Sequence, residues 1–198
     1  MSTVFYKELP APPVDKREIL RYMGCRESTP QIDALIERSL DICKGALSYK
    51  VCFAEYGIRI DGAHCELGFT STESADLAKC LGNCEAIILF AATVSLALDR
   101  LILRYGKTEP SVSVCLQAIG AERIEALCNA FCSEQKEKYA ALGKHLRPRF
   151  SAGYGDLPLE LQKEIFNALG CERRIGLTLN DSLMMSPTKS VTAIIGIY

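Results

Sequence analysis

The spacing of apolar residues divides the chain into stretches with a helical period and stretches with a strand-like period. Thr29 and Pro30 are typical of a helix N-cap and first helical residue, and apolar residues then recur every three or four positions up to 47. A shorter helix is predicted at 15–23, and a long helical segment from 110 to about 142, in which Gly120 is a candidate break.

Strand-like stretches lie near both ends of the chain and in its middle. Two β-prone pieces flank Asp61-Gly62, the strongest short-range hairpin signal in the sequence. Residues 86–92 are apolar on every side, which favours a central strand, and the β-branched residues of 190–198 predict a terminal strand inside the sheet. Helices interspersed with a hairpin and isolated strands predict an α+β fold: a single domain over 1–198 with a central antiparallel or mixed sheet flanked by helices.

Two further helices are predicted from local capping signals. Ser71 or Thr72 would cap a short helix that ends at Gly82. Asp156 would cap a compact helix that ends at Gly170.

Length and charge narrow the class of protein. The 198 residues suffice for a hydrophobic core, and 48% hydrophobic with 24% charged residues is a globular composition. With 23 basic and 24 acidic residues the net charge is −1, so nucleic acid is a poor partner.

The apolar run 86–98 is shorter than the roughly 20 residues that a membrane span needs. The first 16 residues lack a secretory signal pattern, so we expect a cytoplasmic protein.

The ten cysteines are interpreted as reduced thiols that act as small buried hydrophobic residues. No C-x-x-C pair occurs, and His64 and His145 have no ligand-like neighbours at zinc spacing. No metal site is therefore predicted, and a metal or redox cluster is the alternative for the cysteines.

Two loops concentrate groups that could bind a small molecule. In the loop 147–156, Arg149 can grip a carboxylate, glycines let the backbone approach a ligand, and Tyr154 offers a flat face with a hydroxyl. The alternative is a tight connection with solvated arginines. The second loop, 181–190, combines adjacent methionines with several hydroxyls, and an ordinary surface loop is its alternative. Sequence signatures of hydrolases, P-loop proteins, dinucleotide-binding proteins and zinc proteases are missing.

At these two loops the sequence resembles the activation (reactivation) domain of cobalamin-dependent methionine synthase. The segments are RFSAGYGDLPLELQKEIFNALG and GLTLNDSLMMSPTKSVTAIIGI, with weaker likeness in CEAIILFAATVSLALDRLI and GAERIEALCNAF. The positions that match the family's R-x-x-x-G-Y and S-x-x-M-x-P-x-x-S-V patterns are Arg149, Gly153, Tyr154, Ser182, Met185, Pro187, Ser190 and Val191.

The resemblance implies a domain that binds S-adenosylmethionine and supports reductive methylation of cob(II)alamin. The cobalamin would be carried by a separate partner, a methionine synthase core or another corrinoid protein, with a flavodoxin-like electron donor. Because cob(I)alamin is itself the nucleophile, the domain needs no general base and supplies positioning.

By the same resemblance, particular residues receive roles. Arg149 would hold the carboxylate of the methionyl group, and Tyr154 would lie near the methyl group and the corrin as the catalytic residue. The remaining binding residues that the resemblance implies are Ser151, Ala152 and Gly153, whose backbone would line the ligand, and Pro187 and Ser190, which would shape the opposite wall.

The sequence also departs from the family pattern. A glutamate expected in the long helix appears as Asn129, with Glu125 one turn earlier, so either residue could face the ammonium group of the ligand. The alternative function is a non-catalytic docking module for a corrinoid protein that no longer binds S-adenosylmethionine. A conventional methyltransferase is a third reading, but the glycine-rich turn usual in such enzymes is missing.

Overall fold

The computed structural model describes residues 2–198, which form nine strands and seven helices. The strands are β1 (Phe5–Glu8), β2 (Lys50–Gly57), β3 (Arg59–Asp61), β4 (His64–Glu66), β5 (Ser71–Glu73), β6 (Ala86–Thr93), β7 (Thr178–Leu179), β8 (Met185–Ser186) and β9 (Ser190–Ile197). The helices are α1 (Lys16–Tyr22), α2 (Pro30–Cys43), α3 (Ala75–Cys80), α4 (Leu96–Thr108), α5 (Pro110–Ala140), α6 (Leu161–Leu169) and α7 (Cys171–Ile175).

The main sheet has the strand order β1-β2-β6-β9, and every pairing in it is antiparallel. The apolar strand β6 pairs along its whole length with β2 and with β9, which confirms the predicted central strand. Strand β9 ends the four-strand order, so its predicted place inside the sheet is corrected. Its outer edge is nevertheless covered, because Leu146 and Phe150 form bridges with Ile197 and Ile194.

The sheet separates two hydrophobic layers. Ile88 and Phe90 of β6 point into a core shared with α1, α2, α4 and α5. Their neighbours Ile87 and Leu89 point to the other face, where α3, α6, α7 and the small β3-β4-β5 sheet pack. Alternation along a strand thus explains how one fully apolar segment can serve both layers of this α+β fold.

Helix α5 runs without interruption for 31 residues, so the candidate break at Gly120 does not occur. A Cβ atom at Gly120 would lie 2.7 Å from Leu98 Cδ2 and 2.9 Å from Lys189 Cγ. The glycine therefore lets α4 and the Lys189 side chain approach α5 closely. Tertiary packing outweighs its weak helix propensity, which costs about 1 kcal/mol relative to alanine.

The structure corrects both helix caps that were predicted from local signals. Residues 71–73 form β5, which pairs with β4, and Ser74 is the N-cap of α3. Asp156 does not cap α6, whose N-cap Glu160 makes no side-chain cap hydrogen bond. The Asp156 carboxylate instead accepts hydrogen bonds from Ser74 Oγ and from the backbone N–H groups of Ala75 and Asp76 at the start of α3.

All ten cysteines are free thiols, and six of them are buried: Cys43, Cys52, Cys65, Cys115, Cys128 and Cys171. Over residues 2–198, no group of three or more histidine, cysteine, aspartate or glutamate side chains is arranged to hold a metal ion. In the same part of the chain, no helix combines the length and the apolar character needed to cross a membrane.

Candidate functional site

The start of the glycine-containing loop is fixed to the buried strand β9. Phe150 N donates to Ile194 O and Ile194 N donates to Phe150 O, both over 2.8 Å. Arg147 N donates to Gly196 O over 2.9 Å. Arg149 lies between these two anchored residues, so its backbone is held by the sheet.

The rest of the loop is a turn that is held by backbone hydrogen bonds. Gly153 has a φ of +87°, a conformation that favours glycine, and its N–H donates to Leu157 O over 2.9 Å. Leu157 N in turn donates to Tyr154 O over 3.0 Å. Asp156 connects the end of the turn to α3, so both ends are anchored to the fold.

A cavity of about 490 Å³ lies beside this turn, and we call it the Arg149 cavity. It is lined by Glu125, Arg149, Phe150, Ser151, Ala152, Tyr154, Gln162, Met185, Ser190, Val191 and Thr192. Its volume is in the range of small-molecule sites, roughly 300–1,000 Å³. Six of the nine residues that the resemblance implied as ligand contacts contribute to its wall.

The other three residues lie next to the wall. Asn129 Oδ1 accepts a hydrogen bond from Arg149 Nη2 over 3.3 Å. Pro187 O lies 2.8 Å from Ser190 Oγ. Gly153 belongs to the turn that places Tyr154.

Arg149 is paired with Glu125 inside the cavity. Arg149 Nη2 lies 2.5 Å from Glu125 Oε2, and the two side chains are 26% and 41% exposed. Arg149 is therefore paired with a carboxylate and is not a fully solvated arginine. Of the two residues of the long helix considered for the ammonium group of the ligand, Glu125 makes the shorter contact with Arg149 and Asn129 the longer one.

Two thiols of α5 complete the surroundings of Arg149. Burial raises the pKa of the Cys128 thiol to about 12, so this thiol is neutral at neutral pH. Burial also raises the pKa of Cys132. Burial alone would lower the pKa of Arg149, but the Glu125 carboxylate and its hydrogen bond favour the charged guanidinium, and the pKa is raised. Arg149 is a permanent cation, and the thiols beside it are protonated.

The opposite wall is formed by the start of β9. Ser190 is 8% exposed, and its Oγ lies 2.8 Å from both Thr93 Oγ1 and Pro187 O. The hydroxyl is therefore satisfied within the protein. Ser190 shapes the wall and holds the preceding loop against β6.

Gln162 is a lining residue that sequence reasoning missed. It is 6% exposed on the buried side of α6, and its Oε1 has no hydrogen-bond partner among residues 2–198. A buried acceptor without a donor is unfavourable by about 1–3 kcal/mol. The available signal was a glutamine beside the apolar stripe of a helix. Phe150 and Thr192 were missed because strand pairing brings them to the cavity, whereas Met185 and Val191 were motif positions to which no role was given.

Tyr154 lies at the mouth of the cavity. Its side chain is 69% exposed, and Leu159, another exposed apolar residue, packs close to Gly153 in the same turn. The tyrosine ring is thus available both to a molecule inside the cavity and to a surface that approaches from outside.

The Asp156 tether predicts an acid-dependent stability. Hydrogen bonds from Ser74 and then from the Ala75 and Asp76 N–H groups lower the pKa of Asp156 below its ordinary value of 3.8. The carboxylate therefore stabilises the fold above pH 3.8, and this contribution is lost as the pH falls through the lower folded-state pKa. Asp156→Asn should melt at a lower temperature than the parent at pH 7, and the difference should shrink below pH 3.8. Thermal melts between pH 2 and 7 measure this.

Asp181→Asn, a change at an exposed aspartate in the other loop, is the matched control and should melt like the parent throughout. A difference between Asp156→Asn and the parent that stays constant down to pH 2 would contradict the tether.

Comparisons with known proteins identify the fold. No protein-family model matches the chain, and no curated protein is significantly similar to it in sequence. Among solved structures, the chain is similar to the crystal structure of the MetH reactivation domain bound to AdoHcy, with a TM-score of 0.73. The match covers 98% of this chain and 78% of that chain at 14% sequence identity. The chain therefore has the α+β fold of the MetH reactivation domain, as the two loop motifs predicted.

Proposed function

We propose that the chain binds S-adenosylmethionine in the Arg149 cavity and supports methylation of a cobalamin carried by a separate corrinoid protein. The observation that carries this proposal is the Arg149–Glu125 pair in a cavity of suitable size, in a fold of which a solved example holds AdoHcy. The partner is a methionine synthase core or another corrinoid protein, and the electron donor is flavodoxin-like.

The Arg149–Glu125 pair suits an amino-acid zwitterion. A guanidinium binds a carboxylate through two parallel hydrogen bonds, and a carboxylate accepts from an ammonium group. The methionyl end of the ligand carries both groups on one carbon atom. We place its carboxylate on Arg149 and its ammonium on Glu125, so that the ligand inserts into a pair already present. Glu125 thus binds the ammonium group, which the uncharged Asn129 could not neutralise.

The remaining lining residues fit an adenosyl group. Its ribose hydroxyls and amino group are donors, and the unpartnered Oε1 of Gln162 is an acceptor. Phe150 and Met185 supply apolar wall. In this orientation the sulfonium methyl group points to the mouth of the cavity, beside Tyr154. This chain's contribution is then to bind, orient and shield the methyl donor.

The cobalamin of the partner supplies the nucleophile when it is reduced by one electron, and S-adenosylhomocysteine is the leaving group of the methyl transfer. No proton moves in that step, which agrees with a cavity whose lining residues include no histidine. The exposed face of Tyr154 is where the partner would approach.

Calorimetric titration of the full chain with S-adenosylmethionine and with S-adenosylhomocysteine tests the binding step. We expect saturable binding of both ligands with a Kd below about 1 mM, a free energy near −4 kcal/mol. 5′-Methylthioadenosine, which keeps the adenosyl group and lacks the carboxylate and ammonium of the ligand, is the matched ligand control and should bind far more weakly. Absence of binding by both adenosyl ligands would contradict the proposal and would favour the non-catalytic docking module.

The position of Tyr154 makes a prediction about transfer. Tyr154→Phe should reduce the rate of methyl transfer to the cob(II)alamin form of a methionine synthase core under reducing conditions, and should leave the Kd for S-adenosylmethionine within about twofold. The reason is that Tyr154 is 69% exposed at the mouth, where its hydroxyl would face the approaching partner. Transfer is followed by the absorbance of cobalamin, and binding by calorimetry.

Tyr105→Phe, a change on α4 away from the cavity, serves as the control and should alter neither quantity. Equal losses of binding and transfer in Tyr154→Phe would mean that Tyr154 is a wall of the ligand site alone.

A further inference from the structure

A second cavity, of about 930 Å³, shares no lining residue with the Arg149 cavity. Its walls are the residues that precede β1, the side chain of Tyr56 on β2, the turn before β5, and the corner between α6 and α7. The lining residues are Ser2, Thr3, Val4, Tyr56, Gly68, Phe69, Glu164, Asn167, Ala168, Leu169, Gly170, Arg173 and Arg174. We call it the Arg173 cavity.

Two guanidinium groups converge in the Arg173 cavity. Gly170 forms the corner in the left-handed conformation, with a φ of +59°. A Cβ atom at Gly170 would lie 3.7 Å from Arg173 Nη2 and 3.8 Å from Arg174 Nε. Both nitrogen atoms are thus within 4 Å of one point. Two cations at the same corner repel each other, and an anion bound between them would relieve this repulsion.

Neither arginine has an anionic partner in the part of the chain that the structure describes. The arginines that form ion pairs there are Arg21, Arg38, Arg123 and Arg149. Glu164 lines the same cavity but forms no ion pair with Arg173 or Arg174. The Arg173 cavity therefore contains two guanidinium groups and one carboxylate, and neither guanidinium is paired with it.

Capping of α6 does not account for the pair. Arginines near a helix C-terminus can donate to its last carbonyl groups. Here the Gly170 N–H already donates to the carbonyls of Phe166 and Asn167, and Arg174 Nε is buried with no hydrogen-bond partner. A buried donor without an acceptor is unfavourable, so the carbonyl groups of α6 do not satisfy Arg174. Both arginines line the Arg173 cavity, where an acceptor from outside the chain would reach them.

An aromatic pair lines the same cavity. The rings of Tyr56 and Phe69 have centroids 5.2 Å apart and are tilted by 54°. Ring faces of this kind pack against flat apolar groups.

We propose that the Arg173 cavity binds a small molecule that carries both a phosphate group and a planar ring. Arg173 and Arg174 hold the phosphate, because a guanidinium matches its oxygens with two parallel hydrogen bonds. Tyr56 and Phe69 pack against the ring. The proposal is independent of the Arg149 cavity and of methyl transfer.

Calorimetry of the full chain with uridine monophosphate at low ionic strength tests the phosphate contact. Uridine is chosen because the Arg149 cavity is proposed to accept adenosine. We expect a Kd below about 1 mM, and a Kd at least about tenfold higher in Arg173→Ala and in Arg174→Ala. Arg26→Ala, a change at an exposed arginine between α1 and α2, is the matched control and should bind like the parent.

Arg173 is exposed, so its replacement tests binding even if Arg174→Ala fails to fold. A Kd above about 1 mM, or no saturable binding, would overturn the proposal, and so would an equal loss in Arg26→Ala. Arg149→Ala should leave uridine monophosphate binding unchanged, so failure of this proposal and failure of the proposed function are separate results.

Ribose 5-phosphate, which has the phosphate and no planar ring, tests the aromatic contact. It should bind several-fold more weakly than uridine monophosphate, and Phe69→Leu, which leaves Tyr56 in place, should reduce this difference. Equal affinities of the two ligands for the parent would overturn the ring contact.

Discussion

Arg123→Met should destabilise the fold by about 3–5 kcal/mol, the cost of removing one partner from a buried ion pair. Arg123 is 1% exposed and Glu122 3% exposed, and they form an ion pair with each other. Arg123 also donates to Pro12 O over 2.6 Å and to Pro13 O over 2.7 Å. Asp15 N donates to Glu122 Oε1 over 3.1 Å. The pair thus ties the segment before α1 to α5, and the variant would leave a carboxylate buried without its cation.

Thermal unfolding measures this effect as a fall in Tm of about 6–20 °C for a chain of this size. Arg38→Met is the matched control, since the Arg38–Glu109 pair is 55% and 41% exposed and should matter far less. In the double variant Glu122→Gln/Arg123→Met no buried charge remains, so its Tm should lie above that of Arg123→Met. Similar melting of Arg123→Met and Arg38→Met would show that the buried pair does not stabilise the fold.

The elements that could be predicted from sequence are those whose signals are local or strongly periodic. The Thr29 cap, the hairpin at Asp61-Gly62 and the apolar strand at 86–92 all formed as predicted. In each case the residues that carry the signal are also those that make the contacts. Periodicity and turn chemistry then suffice, because tertiary packing agrees with them.

The corrected elements depend on partners distant in sequence. Asp156 has the composition of a cap for the helix that follows it, but it caps a helix 80 residues earlier. Gly120 reads as a helix breaker, and the structure uses it for close packing against α4 and Lys189. Rules based on neighbouring residues do not predict contacts between residues that are distant in sequence and meet only in the folded chain.

The candidate site was predictable to a similar degree. The turn that contains Arg149 and Tyr154 was recognised from its residue types and from a family resemblance, and these residues do line one cavity. Gln162 was not recognised, because a glutamine next to an apolar stripe reads as helix surface until α6 is docked against the sheet. The Arg149–Glu125 pair likewise needs the docking of the loop on α5, and the order of residues in the chain does not specify it.

Arg149→Ala should raise the Kd for S-adenosylmethionine by about 10- to 150-fold, equivalent to the 1.5–3 kcal/mol of a hydrogen bond to a charged group. The ligand's carboxylate would lose its cation. It would also face the Glu125 carboxylate, which Arg149 otherwise neutralises across 2.5 Å. Calorimetry gives the Kd, and thermal unfolding of the same variant shows whether the fold survives.

A double-mutant cycle with Glu125→Gln separates a ligand contact from a structural ion pair. If both residues bind the zwitterion, Glu125→Gln alone weakens binding through the lost ammonium contact. The double variant should then lose less binding than the two single losses combined, because no unpaired carboxylate remains beside the ligand. If the pair serves the fold alone, Arg149→Ala lowers Tm and leaves the Kd unchanged. That result would remove Arg149 from the site, whereas a raised Kd at an unchanged Tm identifies Arg149 as the ligand's anchor.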